Sequence, residues 1–214
     1  NMAAAVEESE VVRLCACRCL AHLASRREHI PACHDAGALK ALLAMLESGT
    51  PALALGALEA LRPLSRDAMI KDALRDAATV KRLLSLVGAA CEPAADRDTT
   101  AVAEAALCVV RNVSASAASQ EVLKGAGAIK VLVALLDALP AASHPTTCAR
   151  AAMTLSNLVV SNQKNKDSLR KAGAIPKLVA MLEAADGEVR SAATEALANL
   201  AVKNTANKDA VREA

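Results

Sequence analysis

Three residues near the amino terminus have the types and the spacing that could hold a metal ion. Cys15 and Cys19 share one face if the segment is a helix, and His22 follows about one turn later. Thiolate sulfur and imidazole nitrogen are ligands that zinc accepts. The spacing matches no recognised zinc site, however, and small thiols in helical cores are commonly buried and inert. We therefore expect no metal ion and no other cofactor.

Other segments that suggest chemistry are also weak. Gly125-Ala-Gly127-Ala-Ile-Lys130 is superficially similar to a phosphate-binding loop, but it lacks the third glycine and is expected to follow a helix instead of a strand. The four His residues are scattered, without a recognisable nucleophile and acid partner. Asn112-Val-Ser114 matches a glycosylation acceptor but falls on a predicted helix, so we interpret it as coincidental. The sequence predicts a protein that is not an enzyme.

The composition favours helices packed closely on one another. The 214 residues are 54% hydrophobic and include no Phe, Trp or Tyr, so the core must be built from Ala, Leu, Val, Ile and Met. A β-sandwich usually relies on aromatic and β-branched pairs. Single-stranded nucleic acid usually stacks on aromatic rings, and the net charge of +2 gives no overall field for phosphates, so we expect no nucleic-acid partner.

Cysteine usage and hydropathy indicate an intracellular protein, cytoplasmic or nuclear. Seven Cys at irregular spacing do not form a disulfide framework, so we interpret them as reduced thiols. Charges interrupt every apolar run before it reaches membrane-spanning length. Glu7, Glu8 and Glu10 lie where a signal peptide would need an apolar segment, so neither export nor membrane insertion is expected.

Two patterns recur along the chain with nearly the same steps of 41 to 49 residues. The first is an anchor residue before an apolar run, and it falls at Gly37, Ala78, Gly127 and Gly173. The second is a slot inside a Leu-x-Asn-Leu-like motif, and it is filled by His22, Pro63, Asn112, Asn157 and Asn199. Two independent patterns with matching steps predict repeats of about 42 residues. The longer steps place insertions at 88–100 and 139–147, between the second and third helices of their repeats.

Each repeat is predicted to contain three helices. In the last complete repeat a short helix at 166–171 ends before a glycine, which can adopt positive φ and close a helix. A second helix follows at 174–183, with Pro176 in its first turn, where the missing N–H costs little. A third, longer helix at 188–202 has apolar residues at spacings of three and four, which indicates one buried face.

Several runs in this sequence resemble the armadillo family. They are Gly-Ala-Ile-Pro-Lys-Leu-Val-Ala-Met-Leu at 173–182, Ala-Leu-Ala-Asn-Leu-Ala at 196–201, and Asn-Lys-Asp at 165–167 and 207–209. HEAT repeats, the nearest alternative, lack the short first helix closed by Gly-Ala-Ile or Gly-Ala-Leu. The resemblance implies an all-α fold, a right-handed α-solenoid (an armadillo-type superhelix) of three-helix repeats.

The domain organisation expected from this resemblance is one solenoid over 1–214, with about four to four and a half repeats. The chain enters in the middle of a repeat and leaves before the next anchor, so we expect a fragment of a longer array whose uncapped ends promote self-association. The boundaries are expected near 1–50, 51–98, 99–145, 146–187 and 188–214. In the second repeat Pro63 falls inside a long helix, which predicts a kink or an early end near Arg62.

The resemblance further implies that the long helices line a concave groove that binds an extended peptide. In armadillo proteins the repeated Asn bonds to the peptide backbone, and Asn112, Asn157 and Asn199 match that slot, whereas His22 and Pro63 do not. A carboxamide can donate and accept at once. We expect these side chains at the surface; the alternative is that they only cap neighbouring backbone within the solenoid.

The position four residues before the slot bears on the partner. Nuclear-import adaptors of this family carry Trp there, and without Trp the cation–π recognition of lysine is lost. Here the position holds Arg18, Glu59, Cys108, Met153 and Glu195, a mixture that leaves the partner's charge open. The predicted partner-binding residues are Asn112, Asn157, Asn199, Met153, Glu195, Arg150 and Cys108.

The predicted function is therefore a protein-interaction scaffold that binds a protein or peptide. The alternatives are an import-type cargo adaptor, or the substrate-recognition arm of a larger regulatory protein such as a ubiquitin ligase. The edge that carries the two insertions is the alternative binding surface.

Overall fold

A computed structural model describes residues 2–48 and 50–214, and within them every regular element is a helix. Fourteen α-helices and two short 3₁₀ helices (Arg27–His29 and Met181–Glu183) follow one another. The α-helices are α1 (Met2–Ala24), α2 (Ile30–Asp35), α3 (Ala38–Ser48), α4 (Pro51–Leu64), α5 (Ala68–Ala73), α6 (Ala77–Ala89), α7 (Arg97–Ser114), α8 (Ala117–Gly125), α9 (Ala128–Ala138), α10 (Pro145–Val159), α11 (Gln163–Lys171), α12 (Ala174–Ala180), α13 (Gly187–Ala201) and α14 (Thr205–Glu213).

The helices recur in the predicted order of short, medium and long. The short helices are α2, α5, α8, α11 and α14, the second helices are α3, α6, α9 and α12, and the long helices are α1, α4, α7, α10 and α13. This order confirms the all-α, armadillo-type repeat fold. The boundaries at which the chain divides into repeats stay a prediction.

Consecutive long helices pack side by side, α1 on α4, α4 on α7, α7 on α10 and α10 on α13. Between them lie fully buried small and branched side chains, such as Ala57, Ala106, Ala152, Leu158 and Leu197. Alanine lets the helix backbones approach, and each buried leucine contributes roughly 1.5–3 kcal/mol by leaving water. The long helices therefore form a continuous layer.

Positive-φ glycines turn the chain from a short helix into a second helix. Gly37, Gly127 and Gly173 have φ of 75°, 87° and 75°, and each of their N–H groups donates to a carbonyl three residues back. A left-handed conformation costs glycine little because it has no Cβ. These residues thus have a structural role, which accounts for Gly127 of the phosphate-loop-like segment.

The second repeat makes the same turn without a glycine. The carboxylate of Asp76 accepts from the backbone N–H groups of Ala78 and Thr79, both at 3.0 Å, and so begins α6. The bond from the Thr79 backbone is the main cause that lowers the pKa of Asp76. A side-chain cap therefore replaces the left-handed residue, because Asp satisfies N–H groups that a helix start leaves unpaired.

Pro63 is accommodated within the last turn of α4. The helix runs through Pro63 to Leu64, and the N–H of Ser65 donates to the carbonyl of Leu61 at 2.7 Å. The other long helices end two residues after the slot, and α4 ends one residue after it. The sequence predicts an early end near Arg62, and the helix is in fact only one residue shorter than the other long helices when counted from the slot. The effect is small because Pro63 lies in the last turn, where few backbone hydrogen bonds remain to be lost.

The two insertions lie where the sequence places them, between a second and a long helix. Residues 90–96 join α6 to α7 and residues 139–144 join α9 to α10, whereas two residues join α3 to α4. Both insertions therefore lie on the edge where second helices meet long helices.

The two outermost long helices present different exposed surfaces. On α1 the side chains of Val11, Val12 and Leu23 are about half exposed or more. On α13 the exposed residues include Glu188, Ser191 and Glu195, which are polar. An apolar surface favours association more than a polar one does. Self-association through the ends stays a prediction, and the exposed apolar residues of α1 make that helix the expected site of contact.

None of the described helices is both long enough and apolar enough to cross a membrane.

Two glycines at one turn provide a test of the left-handed conformation. Gly127 has φ of 87° and Gly125 is the last residue of α8, and a Cβ added at either would meet no atom within 4 Å. Gly127→Ala should therefore lower the free energy of unfolding by about 1 kcal/mol through backbone strain alone. Gly125→Ala should leave it unchanged or raise it by about 0.5–1 kcal/mol, because alanine is the better helix former. Urea unfolding followed by circular dichroism measures both, and equal shifts for the two variants would contradict the assignment.

Candidate functional site

Two adjoining depressions lie along the exposed side of the long helices, with volumes of about 570 Å³ and 170 Å³. They share Arg66, Arg111 and Asn112 and so form one continuous surface, which we call the groove. Six of the seven predicted partner-binding residues line it, namely Asn112, Asn157, Met153, Glu195, Arg150 and Cys108. The structure therefore brings these six together. Asn199 lies on α13 outside the two depressions.

The slot asparagines donate backwards to the preceding long helix. Nδ2 of Asn112 lies 2.9 Å from Oγ of Ser65 and 3.2 Å from the carbonyl oxygen of Arg62. Nδ2 of Asn157 lies 3.0 Å from Oγ of Ser114 and 3.5 Å from the carbonyl oxygen of Arg111. We call each such amide-to-serine contact a rung. These rungs tie α7 to α4 and α10 to α7.

The third rung links Asn199 on α13 to Ser156 on α10, with Nδ2 2.8 Å from Oγ. Its serine stands one residue before the slot, and its hydroxyl donates to Oε1 of Glu195 at 3.2 Å. The pattern is thus kept across three helix pairs although the serine changes position.

The serines can accept because their own protons are already used. Ser65 and Ser114 are buried, and each hydroxyl donates to the carbonyl three residues back, at 2.9 and 2.8 Å. The last carbonyls of a helix have no partner within the helix. At the ends of α4 and α7 the serine hydroxyls and the slot amides donate to such carbonyls, those of Arg62 and Arg111. These contacts therefore help to build the site as well as to line it.

These contacts correct the expectation that the slot side chains are free at the surface. Asn112, Asn157 and Asn199 are half-buried, and their amide donors are engaged by the preceding helix. Their Oδ1 atoms are solvent-accessible and accept no hydrogen bond from the described residues. The Nδ2 groups thus behave as the alternative interpretation predicts, because they bond to the preceding helix within the solenoid. Asn112 and Asn157 therefore each offer a partner one acceptor oxygen and no free donor, whereas Nδ2 of Asn199 makes one hydrogen bond, to Ser156.

The other predicted residues form the walls. Arg111 Nη1 lies 3.4 Å from Sδ of the half-buried Met153, and Glu195 is exposed. Arg150 is half-buried, and Cys108 has 9% of its surface exposed, so only a small part of that thiol can touch a partner.

The sequence interpretation missed most of the groove's charge. Arg27, Arg62, Arg66, Lys71 and Arg111 line the groove beside Arg150. Arg62 and Arg111 each stand directly before a slot residue, which is a signal that the repeat alignment contains. Arg27 and Lys71 come from short elements outside the long helices, and only the folded chain brings them to the groove.

The cysteines carry no sign of nucleophilic chemistry. Burial raises the pKa of the thiols of Cys17, Cys91 and Cys148, which keeps them protonated. Cys15, Cys19 and His22 are exposed on α1, so the first two are not the buried core thiols that helical packing suggested. Among the residues that the structure describes, no three His, Cys, Asp or Glu side chains are grouped as metal ligands would be.

Comparisons with known proteins agree with this geometry. The family model described as Armadillo/beta-catenin-like repeat matches residues 162–202. An engineered protein from a structural genomics consortium has 26% identity and a TM-score of 0.82, over 95% of this chain and 79% of that one. A designed armadillo repeat protein has 26% identity and a TM-score of 0.81, over 94% and 80%. A comparison with curated proteins found no match.

A further solved structure is described as computationally designed armadillo repeat proteins for modular peptide recognition. It has 26% identity to this chain and a TM-score of 0.80, and the match covers 96% of this chain and 86% of that one.

The rungs predict a coupling between Asn157 and Ser114 in stability. Asn157→Ala and Ser114→Ala should each lower the free energy of unfolding by about 1 kcal/mol, because each leaves a half-buried polar group unpaired. The double variant should lose less than the sum, with a coupling of roughly 0.5–1 kcal/mol. Urea unfolding of the four proteins measures this.

The matched control combines Asn157→Ala with Ser65→Ala. These two residues belong to different rungs, so their effects should add. Additivity in both pairs would mean that the amide-to-serine contact contributes nothing to stability.

Proposed function

We propose that this chain, which is an armadillo repeat protein, is a non-enzymatic scaffold that binds an extended segment of a partner protein along the groove. The observation that supports this most is the row of Oδ1 atoms at Asn112 and Asn157 in the groove and at Asn199 on the neighbouring α13, which are not fully buried and accept no hydrogen bond from the described residues. Each is held in place through its amide and is free to accept a backbone N–H. A regular row of acceptors suits a chain whose own backbone is unpaired, which is an extended peptide and not a globular surface.

The spacing of the helices fits such a ligand. Packed helices lie about 8–10 Å apart, and an extended chain advances about 3.3 Å per residue. A partner crossing the long helices therefore places two to three residues over each one. A segment of about ten residues reaches from α4 to α13, so the proposed ligand is a short linear stretch of a protein.

The likeness to a designed protein for modular peptide recognition supports the same proposal, since the fold is shared over nearly the whole chain. The walls of the groove carry arginine, methionine and asparagine. We propose an intracellular location, supported by seven cysteines of which none is paired.

The experiment that tests the proposal is a selection followed by matched variants. Linear peptides of about twelve residues are selected from a random phage-displayed library against the chain, and their affinity is measured by fluorescence anisotropy. Asn112→Ala combined with Asn157→Ala should weaken binding about tenfold or more, because each loss leaves a peptide N–H without its acceptor.

The control is Ser65→Ala combined with Ser114→Ala. It removes both rungs but keeps both carboxamides, which still reach the carbonyls of Arg62 and Arg111. Affinity should stay within about twofold while stability falls as in the asparagine variant. An equal loss of affinity in both double variants would mean that the asparagines act only through the fold. If no peptide is selected, the groove proposal is wrong, and the edge formed by 90–96 and 139–144 becomes the better candidate.

A further inference from the structure

We infer that the groove is selective for acidic peptides, an inference that rests on the proposed function and specifies its partner. Six basic side chains line the two adjoining depressions, namely Arg27, Arg62, Arg66, Lys71, Arg111 and Arg150. The acidic residues that line them are Glu188 and Glu195. The whole chain carries 25 basic and 23 acidic residues, so this concentration does not follow from the overall charge.

The basic side chains come from five parts of the chain. Arg27 lies in the first 3₁₀ helix, Arg62 and Arg66 at the end of α4, Lys71 on α5, and Arg111 and Arg150 on α7 and α10. They therefore follow the direction in which the long helices are stacked, which is the direction of the proposed peptide. A row of like charges repels itself and disfavours the compact state, and a ligand of opposite charge relieves that repulsion.

None of the six has an acidic partner among the described residues. Each ion pair that the structure contains there joins other side chains, such as Arg75 with Asp72 and Arg212 with Asp209. The one polar side-chain contact within the set is that of Arg111 with the sulfur of Met153, a weak acceptor. The guanidinium donors thus remain available for carboxylates, which they bind in a two-pronged geometry.

The acidic end of the groove makes the inference more specific. Glu188 and Glu195 both belong to α13, and Glu195 already accepts from Ser156. The acidic residues of the partner should therefore lie over α4, α7 and α10, and the part of the partner over α13 should be neutral or basic.

A basic groove also attracts nucleic acid through its phosphates. Single strands are usually held by bases stacked on aromatic rings, and this chain has none. The row of Oδ1 acceptors matches backbone N–H groups, which nucleic acid lacks. The observations favour the acidic peptide, and an oligonucleotide serves as a competitor in the test.

The test uses four fluorescent probes with the full chain at about physiological ionic strength. Three are peptides of about ten residues, matching the length of the groove, with the sequences (Glu-Ala)5, (Gln-Ala)5 and (Lys-Ala)5. The fourth is an oligothymidylate of similar length. The glutamate peptide should bind at least tenfold more tightly than the glutamine peptide, and added salt should weaken its binding as it screens the charges.

Charge reversal provides the decisive variant. Arg62→Glu combined with Arg111→Glu leaves four basic and four acidic side chains in the groove. It should abolish the preference for glutamate and make the lysine peptide bind more tightly than it binds the unaltered chain, a gain that misfolding cannot produce. The control, Lys40→Glu combined with Lys81→Glu, changes the net charge equally at exposed positions of α3 and α6 outside the groove. It should retain the preference for the glutamate peptide.

The outcomes separate this inference from the proposed function. If the glutamine or lysine peptide binds the unaltered chain as well as the glutamate peptide, a peptide groove exists and its acidic selectivity is wrong. If the oligonucleotide binds more tightly than every peptide, the partner class is wrong. If no probe binds and the library yields no peptide either, the proposed function fails and this inference fails with it.

Discussion

Consecutive long helices must be held at a fixed register, and the carbonyls at their ends must be paired. At the junctions of α4 with α7 and of α7 with α10 one carboxamide does both, because Asn112 and Asn157 donate to a serine and a carbonyl at the end of the preceding helix. The apolar core supplies most of the stabilising free energy but is not directional. The rung adds direction, and it fixes where the remaining oxygen of each amide points. The proposed binding surface thus results from how the helices are joined.

The second repeat departs from the pattern at the slot and contributes the most charge. Pro63 cannot form a rung to α1, so the junction of α1 and α4 relies on apolar packing and on the hydrogen bond that Thr50 Oγ1 donates to Glu10. The same repeat supplies Arg62, Arg66 and Lys71 to the groove. In the proposed complex, hydrogen bonds to the partner are therefore concentrated from α7 onward, whereas the basic side chains begin earlier, with Arg27 and the end of α4.

The sequence predicts much of the fold and part of the site. Matching steps of the anchor and the slot identify the three-helix repeat, and the glycines at 37, 127 and 173 have the positive φ that their position requires. The direction in which the amide groups donate could not be predicted, because it depends on serines at irregular positions. Ser65 and Ser114 stand two residues after the slot of their repeats, and Ser156 stands one residue before it. The basic character was partly visible in Arg62 and Arg111. Arg27 and Lys71 needed the packing of short helices against long ones.

The fixed direction of the amides limits the sequence of any segment that binds as proposed. Asn112 and Asn157 each offer an oxygen only, because both donors of each amide are engaged, so the residue over either of them must bring a backbone N–H. Proline has none, and it also fixes its own φ. Alternate residues of an extended chain face the same side, so proline is excluded from one alternating set of positions and is tolerated in the other. The proposed partner segment is therefore specified both by its acidic residues and by the positions at which it cannot contain proline.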